Sequence, residues 1–233
     1  MKVTRQFSLS LLAIALTTAV FLAAKFAVSF LHLPRGSFVP LPSVMQAIFL
    51  LLSLAAMLLI SKGRLAAFGF TRGTYKFSPR ILLWILPMAV LSTAGALASR
   101  GGHEAAGPAA GFTKLQIIVF VWIFSSFCEE ILVRGLLQTL LSRTANAGAA
   151  IRHWLSMPVL VSGLFFGAMH LALIPQMGRA VAPVILMATF LGLVAAHYRE
   201  KTGSLLPAFI VHALFNIGGT LPMWAILWLR GGL

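Results

Sequence analysis

The sequence predicts an all-α fold, a polytopic transmembrane bundle of about seven spans with a possible eighth short segment. Three observations lead there. Apolar runs approach or exceed about 20 residues, the length at which a helix crosses a bilayer. Of the 233 residues, 60% are hydrophobic and only 9% charged. Polar residues and Pro/Gly breaks divide these runs from one another.

The first span, roughly 7–30, follows a basic start in "MKVTRQFSLSLLAIALTTAVFLAAKFAV". It resembles a secretory signal, but its apolar part is long and has no small-x-small cleavage site, so it is read as an uncleaved helix. Spans two and three occupy 43–61 and 81–99, joined by the basic connector Lys62–Arg80. The connector Ser99–Thr113, rich in Gly and Ala, leads to span four at 114–141, followed by 157–174, 181–198 and 204–220. Around Pro222 a short apolar stretch, Leu221–Leu229, is too short to cross unaided; it reads as an interfacial tail or a kinked continuation, with Trp224 and Trp228 suited to the interface.

The net charge of +14 could suggest a nucleic-acid partner, but the basic residues are scattered between the spans. They serve better as a guide to orientation. With the N-terminus in the cytoplasm, inside segments carry 11 basic residues: Lys2, Arg5, Lys62, Arg64, Arg72, Lys76, Arg80, Arg143, Arg152, Arg199 and Lys201. Outside segments carry 5: Arg35, Arg100, Lys114, Arg179 and Arg230. The expectation is an integral protein of a bacterial cytoplasmic membrane, N-terminus inside, with the bilayer and a membrane-bound protein or peptide as partners and no nucleic acid. The lone Cys128 excludes an internal disulfide and a cysteine-rich zinc cage. Three regions are expected: 1–112 with spans one to three and the basic loop, 113–220 as a catalytic helical core, and 221–233 as an interfacial tail.

Against this apolar background "FCEEILVRG" stands out. The chain has four acidic residues and no aspartate, and Glu129 and Glu130 are half of them. An ionisable group inside a span costs about 2.5–3.5 kcal/mol on insertion scales, so the pair needs partners or a purpose. Glu130 and Arg134 are four apart with the acid first, the favourable order for a helical ion pair. Glu129 is rotated about 100° away and is left without a partner on its own helix.

Two further spans carry polar groups at helical spacing. "FGAMH" puts Phe166 four residues before His170, and "HALFN" puts His212 four before Asn216. At about 1.5 Å rise per residue, Glu129, His170, His212 and Asn216 fall in one slab of the bilayer. A carboxylate and two imidazoles at one depth suit hydrolysis by water. Glu129 is the candidate base and His170 positions the water or relays its proton. His212 and Asn216 can donate to an oxyanion. Glu130 and Arg134 are structural support, and Phe166 alone reads as packing.

Other hydrolase designs fit less well. "HEAAG" at His103 lacks the second histidine of a zinc helix. An aspartyl design is impossible without aspartate, and Ser162 in "VSGLFFG" lacks a nucleophile-elbow pattern. A reading of another class is a noncatalytic membrane protein that binds a peptide partner or a proton through the same cluster.

At "EEILVR", "FGAMH" and "HALFN" the chain resembles the CAAX prenyl endopeptidase and bacteriocin-processing (CPBP, or "abortive infection") family of intramembrane proteases. All three motifs stand in the family's order without substitution, and the resemblance covers about Leu115 to Gly219. It implies a glutamate-dependent endopeptidase in which Glu129 and His170 activate water and His212 and Asn216 form the oxyanion site. Members are also described as metalloproteases. A divalent metal such as zinc would have Glu129, His170 and His212 as candidate ligands. The glutamate mechanism, requiring no cofactor, is favoured, because a ligating Glu129 would leave only the ion-paired Glu130 as base.

Overall fold

In the computed structural model the described residues are 2–34, 36–98, 111–144, 150–152 and 155–229. His103, Glu104, Arg35, Arg100 and Arg230 lie outside them, as do the side chains of Lys2, Arg5, Arg152 and Trp228. The architecture is helical apart from a two-strand hairpin, Ala150–Arg152 with Leu155–Ser156. The helices are α1 (Lys2–Ser29), α2 (Leu41–Ser61), α3 (Leu86–Ala98), α4 (Lys114–Thr144), α5 (Met157–Met169), α6 (Val181–Thr202) and α7 (Leu206–Leu229).

Five continuous helical stretches are long and apolar enough to cross a membrane: Gln6–Ser29, Leu41–Ser61, Lys114–Thr144, Met157–Thr202 and Leu206–Ile226. The expected third span is helical over 79–98. Its first part, Pro79–Ile85, is a 3₁₀ helix, and α-helical geometry begins only at Leu86, next to Pro87, whose ring nitrogen cannot donate to a preceding turn. The 46-residue stretch Met157–Thr202 is folded back on itself through short 3₁₀ turns and Gly178, at φ 54°. Thus α5 and α6 run antiparallel in close contact: a Cβ on Gly163 would lie 2.6 Å from Leu193, and one on Gly192 would lie 2.8 Å from the Gly163 carbonyl. Small residues let helix backbones approach in this way. The stretch 221–229 is no separate segment; α7 runs on through Pro222.

Large apolar side chains cover the outside, among them Phe7, Phe26, Leu59, Val90 and Leu186. So much exposed apolar surface fits lipid rather than water. The core, by contrast, centres on α4, where Ile131, Leu132, Val133, Leu136 and Leu137 are buried.

Cross-helix bonds define the two ends of the bundle. At one end Ser10 of α1 bonds Thr144 of α4 (3.0 Å), and the 62–80 connector docks on the turn after α6. The docking bonds run from Thr74 N to Thr202 O (2.8 Å) and from Leu205 N to Gly69 O (3.0 Å). This end therefore collects Lys62, Arg64, Arg72, Lys76, Arg143, Arg199 and Lys201. At the other end Thr113 caps α4 in a capping box with Gln116, whose amide also reaches Phe38 O (2.9 Å).

Candidate active site

Helix α4 carries both glutamates and is locally unusual. A short α-helical segment, Ser126–Glu130, is flanked by π-helical turns over Ile117–Ser125 and Ile131–Gln138. Wider π turns are rare and concentrate at functional positions. Here they bracket the acidic pair.

Glu130 points into the protein. Its side chain is 1% exposed and lies between Arg134 and His212, with Arg134 Nε 3.2 Å from Oε2 and His212 Nδ1 2.8 Å from Oε1. The contact with Arg134 is an ion pair without hydrogen-bond alignment. Arg134, fully buried, donates from Nη2 to Gly192 O of α6 (2.8 Å), and its guanidinium lies 4.6 Å from the centre of the Phe166 ring. The carboxylate, the guanidinium, the carbonyl and the aromatic face compensate one another in a medium where an unpaired charge would cost several kcal/mol.

Glu129 faces the other way. Its side chain is 16% exposed, and Oε1 accepts from Gln46 Nε2 of α2 at 3.1 Å. His212 Nε2 stands 3.8 Å from Oε2, beyond hydrogen-bond range. One imidazole thus bonds the buried carboxylate with one nitrogen and faces the open carboxylate with the other. Because a carboxylate accepts, His212 Nδ1 donates to Glu130, which fixes the ring's orientation.

His170 lies at the end of α5, where the helix tightens into a 3₁₀ turn. Its Nδ1 is 2.9 Å from Phe166 O, a carbonyl that can only accept, so Nδ1 carries a proton and Nε2 is the ring nitrogen left without this contact. His170 makes no hydrogen bond to Glu129. Between the histidines stands Phe166, edge-on to His170 at 5.2 Å and to His212 at 5.3 Å. This ring touches Arg134 and both imidazoles.

Asn216 takes a different position from the one its motif suggests. Its amide nitrogen donates to Val121 O (2.9 Å) and Ser126 Oγ (3.0 Å), so both amide protons tie α7 to α4. Trp122 Nε1 reinforces the seam by donating to Thr220 Oγ1 (2.7 Å).

The structure therefore brings Glu129, Glu130, Arg134, Phe166 and His212 into one contact network, with His170 joined through the Phe166 ring. Gln46 was not among the candidates; its only signal is an amide inside the apolar run "VMQAIF". Among the described residues no group of three His, Cys, Asp or Glu side chains is arranged to hold a metal, so the donor set Glu129, His170 and His212 does not converge as metal ligands.

Comparison with known proteins agrees with this picture. Residues 111–218 match the family model described as type II CAAX prenyl endopeptidase Rce1-like. The matched segment bears all three motifs. Over those residues the chain is similar to the Rce1-like family, consistent with the CPBP resemblance of its motifs. No curated protein and no solved structure matches the chain at a significant level.

Proposed function

We propose that the protein is an intramembrane endopeptidase that hydrolyses a peptide bond of a membrane-associated protein or peptide, using Glu129 as the base. The observation that carries this reading is the asymmetry of the acidic pair. Glu130 is enclosed by Arg134 and His212, whereas the Glu129 side chain stays partly exposed beside an imidazole nitrogen. A water between Glu129 and the scissile carbonyl gives its proton to the carboxylate, and the oxygen attacks the carbonyl carbon. His170 Nε2 helps orient that water or relay its proton to the leaving amine. His212 donates to the developing oxyanion from Nε2 when protonated, supported through Nδ1 by Glu130. Asn216 holds α7 in place at rest, and joins the oxyanion site by exchanging Val121 O or Ser126 Oγ for the substrate oxygen. The seven-crossing arrangement, with the basic end of the bundle in a bacterial cytoplasm, is part of the same proposal and rests on charge distribution and on the antiparallel α5–α6 pair.

The test compares peptide termini in membranes of cells carrying the wild type with those of cells carrying Glu129→Ala at equal expression. Termini that appear only with the wild type identify substrate and cut site together. Identical termini in both favour a noncatalytic role for the cluster.

A further inference from the structure

At the basic end of the bundle, away from the glutamates, a cavity of about 370 Å³ opens between α4, α6 and the 62–80 connector, lined by Gln138, Thr139, Ser142, Arg143, Arg199 and Glu200 among others. Arg199 is its centre. Nη2 donates to Thr139 Oγ1 (3.2 Å), while Nε is buried with no hydrogen-bond partner. Gly69 packs against this guanidinium so closely that a Cβ there would lie 2.6 Å from Nε. Arg143 stands at the exposed side with its guanidinium 4.6 Å from the centre of the Phe68 ring.

Neither arginine has a carboxylate partner among the described residues. The chain has four acidic side chains, and two of them, Glu129 and Glu130, belong to the network inside the bundle. Glu104 lies outside the described residues. Glu200 lines the cavity, but its Oε1 accepts from Ser156 Oγ (2.5 Å) and it forms no ion pair with Arg199 or Arg143. A partly buried guanidinium with an idle donor calls for an anion from outside the chain.

We propose that this cavity binds the phosphate of an anionic phospholipid headgroup, with Arg199 and Arg143 as its two cationic contacts. Arginine forks match phosphate oxygens. Basic pockets between helices at a bilayer surface are where such headgroups bind. The position also has a mechanical consequence. Arg134 donates to Gly192 O and Gln138 Nε2 to Ala196 O, both at 2.8 Å, and Arg199 to Thr139 is the next bond along the same α4–α6 seam. A bound phosphate completes that ladder at its end and stiffens the helix that bears the glutamates.

The experiment uses the full chain, delipidated in neutral detergent and titrated with short-chain phosphatidylglycerol, with phosphatidylcholine and with inorganic phosphate, reading bound lipid by native mass spectrometry and Tm. Phosphatidylglycerol should bind about tenfold more tightly than phosphatidylcholine and raise Tm, and Arg199→Gln should lose that preference. Arg143→Gln, on the exposed side, should weaken it about fivefold and keeps the test alive should Arg199→Gln not fold. Equal binding of the two lipids, or wild-type preference in a folded Arg199→Gln or in Arg143→Gln, would overturn the proposal. Inorganic phosphate that binds as tightly as the lipid and competes with it overturns the lipid assignment, because the ligand is then a soluble anion.

Discussion

Two faces of one helix carry adjacent glutamates and treat them in opposite ways. On the inner face Glu130 has an arginine, an imidazole and, through that arginine, a carbonyl of α6, and is closed to solvent. On the other, Glu129 has one amide at 3.1 Å and an imidazole nitrogen at 3.8 Å, and remains partly open. The lesson is a division of labour. A carboxylate enclosed by an arginine and an imidazole is suited to hold the structure, and one left partly exposed is suited to meet water. His212 couples the two, being fixed by the first and aimed at the second.

The largest effect that would break this comparison is on cleavage. Glu129→Gln keeps the size of the side chain and its contact with Gln46 but removes the base, so turnover in a quantitative assay of substrate and product should fall about 10³-fold. Next comes stability. Glu130→Gln leaves Arg134 as an uncompensated buried charge, and the loss should be about 3–5 kcal/mol, read as a lowered midpoint in denaturation of the detergent-solubilised protein. A smaller effect sharpens the open side. Gln46→Leu removes the amide that orients Glu129 and should slow cleavage about tenfold with little change in Tm, a rate loss worth about 1.4 kcal/mol of transition-state stabilisation. The smallest test concerns the ring between the histidines. Phe166→Leu keeps an apolar filler but loses the aromatic face under Arg134 and should lower stability by about 1 kcal/mol, with a modest loss of rate.

Much of the site was legible in the sequence because its residues repeat every four positions on apolar helices. Glu130 with Arg134, Phe166 with His170, and His212 with Asn216 each lie on one face, and a rare acidic pair in a chain with four acids draws the eye. What helical spacing cannot show is which neighbour each face meets. Gln46 comes from α2, 83 residues before Glu129, and only packing reveals it. Asn216 sits one turn from His212, yet its amide turns to α4 because Val121 O and Ser126 Oγ lie within reach there. The π turns around the glutamates likewise leave no mark in an apolar run, since Ile, Val, Phe and Leu accept either helix. In the fold, apolar length located the helical segments but not the 3₁₀ start of the third, over Pro79–Ile85, and it left Leu221–Leu229 open between an interfacial tail and a continuation, of which the structure has the continuation, α7 running on through Pro222.

The central claim, that Glu129 serves chemistry and Glu130 serves structure, is tested most directly by measuring cleavage and Tm on Glu129→Gln and Glu130→Gln prepared in parallel. The expected result is a crossed pattern, in which Glu129→Gln retains the wild-type Tm and loses cleavage while Glu130→Gln melts well below it. Wild-type cleavage by Glu129→Gln, or a loss of Tm in Glu129→Gln with none in Glu130→Gln, would contradict it.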